Sequence, residues 1–539
     1  MIILGGLDDQ TLLLTWGNVS RCFFSKCPSD LSDFYVYKDI FFNFIHPLQS
    51  NQPVLSLVVS GILHFFGSNS LSVMFIVSVL LNLVFSYLLF RKFKFGLAYS
   101  TIFTFSAYAW SHFGTHIDLM QMWVLPLFIY FVLKYQDSLT AKRILLLSAI
   151  LTLIILISNY YGFILIVFLF CYSVSKLLIG QFILRKPVVR FTASISLVFL
   201  LTFVFTAITL LSYIKGNYVR GESIQGTNFS AIRPFEDFIA FSSRPWYFFI
   251  PPVKNPMLGS IAKLAVNKIS HWNYFLADDY FSAEHSGNYF GLLFLITTVF
   301  LCVYVFRKHR RFFKEELLTH VFSGILLISF MMPPFFTISG IKIYTPGLFI
   351  YNAFPMFRVT SRLSVVVLLL LLLLLAEGID LVYKNSSMKM KRVLAVFISA
   401  LVVVTLVETY IPPKIYLTPV QPQSFVYLSK NTPYRTVFAV YPNDKLQDAL
   451  FNLPVHERFL LNPKDYMNKE FNSPVFTKSL VAFKGLLNLR QLGGDYVIVF
   501  KDAKEYDITF FKNSNLLKLE KEFSDSYVFR VLYEANKKT

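Results

Sequence analysis

Leu368 to Leu375 is an unbroken run of leucine with apolar residues on either side. A helix that is apolar all round has no polar face to turn toward water, and a bilayer is the solvent that accepts it. The run is one of many. About 20 mostly apolar residues suffice for a helix to cross the hydrocarbon. Such stretches lie at 70–90, 97–112, 119–134, 143–159, 161–178, 190–213, 288–306, 317–334, 363–383 and 392–410. Only 15% of the 539 residues are charged and 55% are hydrophobic, against about a quarter charged in soluble domains. Apolar surface on this scale would leave exposed patches that soluble monomers avoid. Residues 1–410 are therefore expected to form an all-α polytopic membrane domain with about ten transmembrane helices. The stretch 53–67 is shorter and is broken by His64, so it is read as a helix lying along the membrane.

Lys and Arg set the expected orientation, because short cytoplasmic loops collect them. Arg91, Lys92 and Lys94 close the first span. Lys142-Arg143, Arg185-Lys186, the basic block 307–311 and Lys389 to Arg392 fall in every second loop after it. The loops 112–118 and 158–162 between them hold neither Lys nor Arg. The first loop 1–52, the loops 214–287 and 335–362 and the tail 411–539 are then extracytoplasmic. Much of the net charge of +19 orients the chain. No basic block interleaved with aromatics marks a nucleic-acid groove.

The tail from Ile411 is less apolar. Residues 436–441, 496–500 and 527–533 look like strands and 473–492 looks helical, so the tail is expected to be a small extracytoplasmic α/β domain. Residues 1–52 should lie outside with nothing before them to carry them across, which predicts a missing first transmembrane helix. Cys171 and Cys302 sit within spans as packing residues. Cys22 and Cys27 share an outer loop where a disulfide can persist. No Cys/His spacing reads as a zinc site.

Transporters place charges inside their spans. Here Asp118, Glu377, Asp380 and Glu408 fall near predicted span ends, and polar clusters gather at the outer face. That favours chemistry at this face. Asp8-Asp9 after Gly5-Gly6 offers a general base or a hold on a divalent metal, or else a helix N-cap. His112 and His116 have metal-ligand spacing, but Gly114 weakens the helix that would align them, and interfacial anchoring with Trp123 is the alternative. Asn159-Tyr160-Tyr161-Gly162 supplies an amide and phenols to a sugar pocket, or interfacial tyrosines. The loop 214–287 carries Arg220, Glu222, Arg233, Glu236, Asp237, Arg244 and His285. Arg358 and Arg362 lie four apart, on one face if the helix starts there. They suit a phosphate clamp or an ion pair with a loop carboxylate.

In order along the chain stand the early acidic pair, His116-Ile-Asp-Leu-Met-Gln-Met-Trp-Val-Leu-Pro-Leu127, Asn159-Tyr160-Tyr161-Gly162 and Phe354-Pro-Met-Phe-Arg358-Val-Thr-Ser-Arg362. This order resembles the GT-C superfamily of multispanning glycosyltransferases, in particular bacterial proteins of the glycosyltransferase 39 or RgtA/B/C/D-like kind. It is also similar to the YfhO-like group. The resemblance implies a bacterial plasma-membrane enzyme that takes a sugar from a polyprenyl-phosphate carrier. Its acceptor would be a glycan, lipid or protein of the cell envelope. By that resemblance Asp8 or Asp9 is the catalytic base. Arg358 and Arg362 hold the carrier phosphate, with Arg233 or Arg244 as further candidates. His116, Asn159 and Tyr160 line the pocket. No resident metal is assigned. The alternative is a non-catalytic membrane protein that binds, exports or assembles lipid-linked glycans.

Overall fold

The computed structural model describes residues 2–4, 52–66, 70–113, 116–183, 189–209, 235–269, 281–308, 315–412, 415–417, 421–433, 436–445, 449, 452, 456, 458–461 and 473–533. These fall into two compact units. The larger takes its residues from 74–212 and 229–414, the smaller from 1–73, 213–228 and 415–539. Asp8, Asp9, Arg233 and the Cys22/Cys27 pair lie outside the described residues.

In the smaller unit β1 (Ile2–Leu4) and α1 (Pro53–Phe66) come first. The larger unit is helical. It runs through α2 (Ser70–Phe90, whose first turn belongs to the smaller unit), α3 (Gly96–Thr104), α4 (Ala107–His112), α5 (Val124–Tyr135), α6 (Ala141–Ile157), α7 (Asn159–Leu178) and α8 (Val189–Thr209). Next come α9 (Phe235–Ala240), α10 (Gly259–Ile269), α11 (Ala283–Ser286), α12 (Leu292–Lys308) and α13 (Glu315–Met331). A hairpin of β2 (Phe335–Ile338) and β3 (Ile341–Tyr344) follows, then α14 (Gly347–Ala353), α15 (Ser364–Lys384) and α16 (Met388–Thr409). Ser339 and Gly340 both have positive φ at the hairpin tip, the geometry a tight two-residue turn demands.

Every one of the ten apolar stretches carries helix. Among the described residues, however, only five helices are long and apolar enough to cross a membrane: Ser72–Phe90, Asn159–Gln181, Phe191–Thr209, Thr360–Lys384 and Met388–Thr409. Local chemistry shortens others. The stretch 97–112 is cut at Ser106, whose side chain accepts from Ala109 N and starts a new helix. The stretch 119–134 becomes helical only at Val124. Pro126, which lacks an N–H, is at home in that first turn, and Gln121 ties the preceding turn down by donating to Ser78 Oγ at 2.8 Å. The leucine-rich α15 is the hub, packed on α3, α12, α13 and α16. Its span is 72% buried while that of α16 is only 17% buried, so α16 presents most of its apolar surface outward.

Asn255 braces this unit. Its side-chain amide donates to the carbonyls of Val407 (2.8 Å), Glu408 (3.1 Å) and Tyr410 (3.0 Å), which the end of α16 leaves open. Its Oδ1 accepts from the backbone of Met257 and Leu258. Asn255→Ala is expected to cost about 2 kcal/mol, because buried carbonyls lose their donor. A thermal melt in detergent reads this as a lowered midpoint.

The smaller unit continues with β4 (Ile415–Leu417), which pairs antiparallel with β1. It then adds α17 (Gln423–Asn431), β5 (Val437–Tyr441), β6 (Phe459–Leu460), α18 (Ser473–Ser479), α19 (Phe483–Gln491), β7 (Tyr496–Phe500), α20 (Glu505–Asn513), β8 (Leu517–Glu522) and β9 (Ser526–Val531). The sheet order is β6-β5-β7-β9-β8. Pairing of β5 with β6 and β7 is parallel, and the remaining pairs are antiparallel. Side chains alternate across it. Ala439, Val497, Val499 and Phe529 pack with Leu486, Leu489 and Phe511 on one face, while Phe438, Val440, Ile498 and Val528 pack with Phe425 and Leu428 on the other. The expected α/β tail is thus a mixed sheet covered on both faces. The stretch 473–492 forms two helices rather than one. Gly485 lies against the Ser479 carbonyl, where a Cβ would collide.

Candidate functional site

The short helix α11 packs against both α4 and the 3-10 turn Thr360–Leu363 that leads into α15. This brings together three segments far apart in sequence. Ser282 starts α11 with a reciprocal cap: its side chain bonds the backbone of His285, while His285 Nδ1 accepts from Ser282 N at 3.0 Å. The cap fixes Glu284 on the side facing His112 and Arg362.

Glu284 is the centre. Arg362 grips it with two parallel bonds, Nε to Oε2 at 3.0 Å and Nη2 to Oε1 at 2.6 Å. His112 Nε2 donates to Oε2 at 2.9 Å. His112 Nδ1 stands 2.8 Å from the Tyr108 carbonyl. The Ser111 hydroxyl stands 3.0 Å from the same nitrogen. Burial resists ionisation of Glu284, but Arg362 and then His112 outweigh it and hold the carboxyl well below its ordinary range.

His116 sits at the rim. Its Nε2 is 3.7 Å from Glu284 Oε1, and its side chain is 32% exposed where those of His112 and Arg362 are closed off. Burial, with Arg362 next, lowers its pKa, so the neutral imidazole prevails near pH 7. Tyr160 lies under Arg362, with the guanidinium 4.2 Å from the ring centroid. Its other neighbour is Phe357, edge-on at 5.4 Å. Ser158 caps α7 by accepting from Tyr161 N and donates to Asp118 at 3.3 Å. Asn159 follows the cap, and its buried Oδ1 has no hydrogen-bond partner among the described residues.

The two arginines expected to act as one clamp pair with different carboxylates. Arg358 precedes the 3-10 turn, so four-residue spacing does not place it on a helix face with Arg362. Arg358 pairs with Asp237 and lies over the Phe241 ring at 5.1 Å. Both arginines therefore meet loop carboxylates. Arg244 is fully buried, and its Nη1 donates to the carbonyls of Ile239 and Ser242, both at 2.9 Å, at the end of α9. It stands close enough to His285 that, after burial, its charge is the next cause lowering that ring to about 3. His116, Tyr160 and Arg362 are thus gathered at one cluster. Arg358 belongs to a neighbouring pair and Arg244 to the wall behind.

A family model described as a domain of unknown function (DUF6311) matches residues 53–230. No curated protein matches the chain. The matched segment contains His112, His116, Asn159 and Tyr160, but Glu284, Arg358 and Arg362 lie beyond it. Among the described residues, no group of His, Cys, Asp and Glu is arranged to hold a metal ion.

Sequence reasoning missed Glu284. A signal existed: an arginine at the head of an apolar span calls for a counter-ion. Loop 214–287 supplies Glu222, Glu236, Asp237, Asp278, Asp279 and Glu284 as the candidates, but nothing in their spacing singles out one.

Proposed function

We propose that this chain is a multispanning membrane protein of about ten spans and GT-C-like architecture. On this reading it takes a sugar from a polyprenyl-phosphate carrier and passes it to a cell-envelope acceptor at the outer face of a bacterial membrane. The carrying observation is the Glu284 cluster, an ionised carboxylate locked between Arg362 and His112 that offers one neutral imidazole, His116, at its exposed rim.

Glycosyl transfer breaks the bond between the sugar C1 and the phosphate oxygen and forms one between C1 and the acceptor oxygen. The acceptor proton goes to a base, and polyprenyl phosphate leaves. A neutral imidazole oriented by a carboxylate suits the base role. By the family resemblance, Asp8 or Asp9 is the other candidate for it. The Tyr160 ring and the open Asn159 oxygen suit a sugar face and hydroxyl.

Proteoliposomes given polyprenyl-phosphate sugar and crude envelope acceptor test this. His116→Gln, or Asp8→Asn with Asp9→Asn, is expected to reduce transfer by about a hundredfold or more. Unchanged transfer in all of these variants, with folding intact, removes the base from both places.

A second reading is favoured by one observation. Both clamp arginines are already matched by Glu284 and Asp237, so the cluster also fits a brace in a non-catalytic protein that binds or assembles lipid-linked glycans. Saturable binding of the carrier lipid without turnover distinguishes it.

A further inference from the structure

Helix α10 lies in the outer loop 251–269 and divides into three faces. Gly259, Ala262 and Ile269 are buried against the Tyr247 and Ile250 cluster. Lys263 and Asn267 are exposed on a polar face. Between them runs an exposed apolar stripe: Ile261 is 61% and Leu264 71% exposed, and Met257 just before the helix is 70% exposed. Ile261 and Leu264, three apart within the helix, point the same way, and Met257 lies in the turn that leads into it. Lys268 extends the stripe by one more turn.

The depth of this stripe is fixed by the Asn255 brace, which ties the entry to α10 to the closing carbonyls of α16. The end of a helix of membrane-crossing length marks the hydrocarbon boundary. Val407, in the last turn of α16, is 41% exposed beside that tie, so the span also presents apolar surface outward at this end. A helix packed along one face and exposing an apolar stripe with lysines at that depth has the form of an in-plane interfacial helix. Lysine stems reach along the apolar surface while their ammonium groups stay with the headgroups.

We propose that α10 docks on the phospholipid surface. Met257, Ile261 and Leu264 enter the acyl boundary, and Lys263 and Lys268 meet acidic headgroup phosphates. The inference rests on the membrane reading of α16 and not on any transferase activity.

The test uses the full chain in phosphatidylglycerol vesicles, with a benzoylphenylalanine photo-crosslinker in place of Ile261, Leu264, Val396 or Tyr506. Val396 is 71% exposed on α16 and Tyr506 is 65% exposed on α20. After irradiation, mass spectrometry is expected to find phospholipid adducts at 261, 264 and 396 and none at 506. Yield at 264 is expected to drop severalfold in phosphatidylcholine vesicles, or when Lys263→Glu and Lys268→Glu are combined. Adducts at 396 without adducts at 261 and 264 overturn the docking of α10 while leaving the span in place. Absence at 396 as well overturns the membrane reading itself. Crosslinks from 264 to a second protein chain overturn a lipid occupant. A yield indifferent to headgroup and lysine charge overturns the acidic-headgroup contact.

Discussion

Glu284→Gln is expected to destabilise the protein by about 3–5 kcal/mol, the usual cost of removing one partner from a buried ion pair. Gln keeps the shape of Glu but leaves the Arg362 guanidinium, only 6% exposed, without a counter-charge. Restoring neutrality should recover much of the loss. Glu284→Gln combined with Arg362→Gln is therefore expected to be more stable than Glu284→Gln alone, although it removes more hydrogen bonds. Thermal or denaturant unfolding in detergent near pH 7 measures both. A loss under about 1 kcal/mol, typical of exposed pairs, would mean that solvent screens the cluster. Arg358→Gln is a useful contrast. Its pair with Asp237 is about one-third exposed on each side, and its removal is expected to matter far less.

Acid should dismantle the same region in two stages. His285 is held neutral, with its pKa lowered from 6.5 to about 3 by burial and then by Arg244. His116 is lowered as well, by burial and then Arg362. The unfolded chain takes up these protons first, so their contribution is intact above about pH 6.5 and declines as pH falls below it. Each group adds up to about 1.4 kcal/mol per pH unit to that slope. Glu284 has a folded pKa below its ordinary 4.5. Its contribution is present above pH 4.5 and is lost as pH falls through the folded value. Stability should thus begin to fall near pH 6.5 and steepen below 4.5. His285→Gln is expected to flatten the upper stage, and Glu284→Gln the lower one. A melting-temperature series from pH 7.5 to pH 3 follows this, and a flat profile down to pH 5 contradicts it.

The helices were legible because the bilayer criterion is crude and strong. Apolar runs near 20 residues read directly, and the unbroken leucines of α15 do sit at the centre of the larger unit. The strands β5, β7 and β9 were legible because apolar runs bounded by turn residues mark them. What escaped depends on encounters between distant residues. Nothing near Ser106 in sequence tells how far its cap shortens the run 97–112. The pairing of Glu284 with Arg362 joins two loops through the packing of α11, and spacing along the chain carries no trace of it. Arg358 and Arg362 would share a helix face only if the helix began there, and the chain instead enters α15 through a 3-10 turn. In each case the local residue types were right and the partner was set by tertiary packing.

The pairing of β1 with β4 carries a parity rule. Two strands that share a hydrogen-bonded ladder lie on one side of any bilayer the chain crosses. The number of crossings between Leu4 and Ile415 must then be even. The five long helices all fall in that interval, and five is odd. The five can therefore all be crossings only if a shorter or broken apolar segment supplies another.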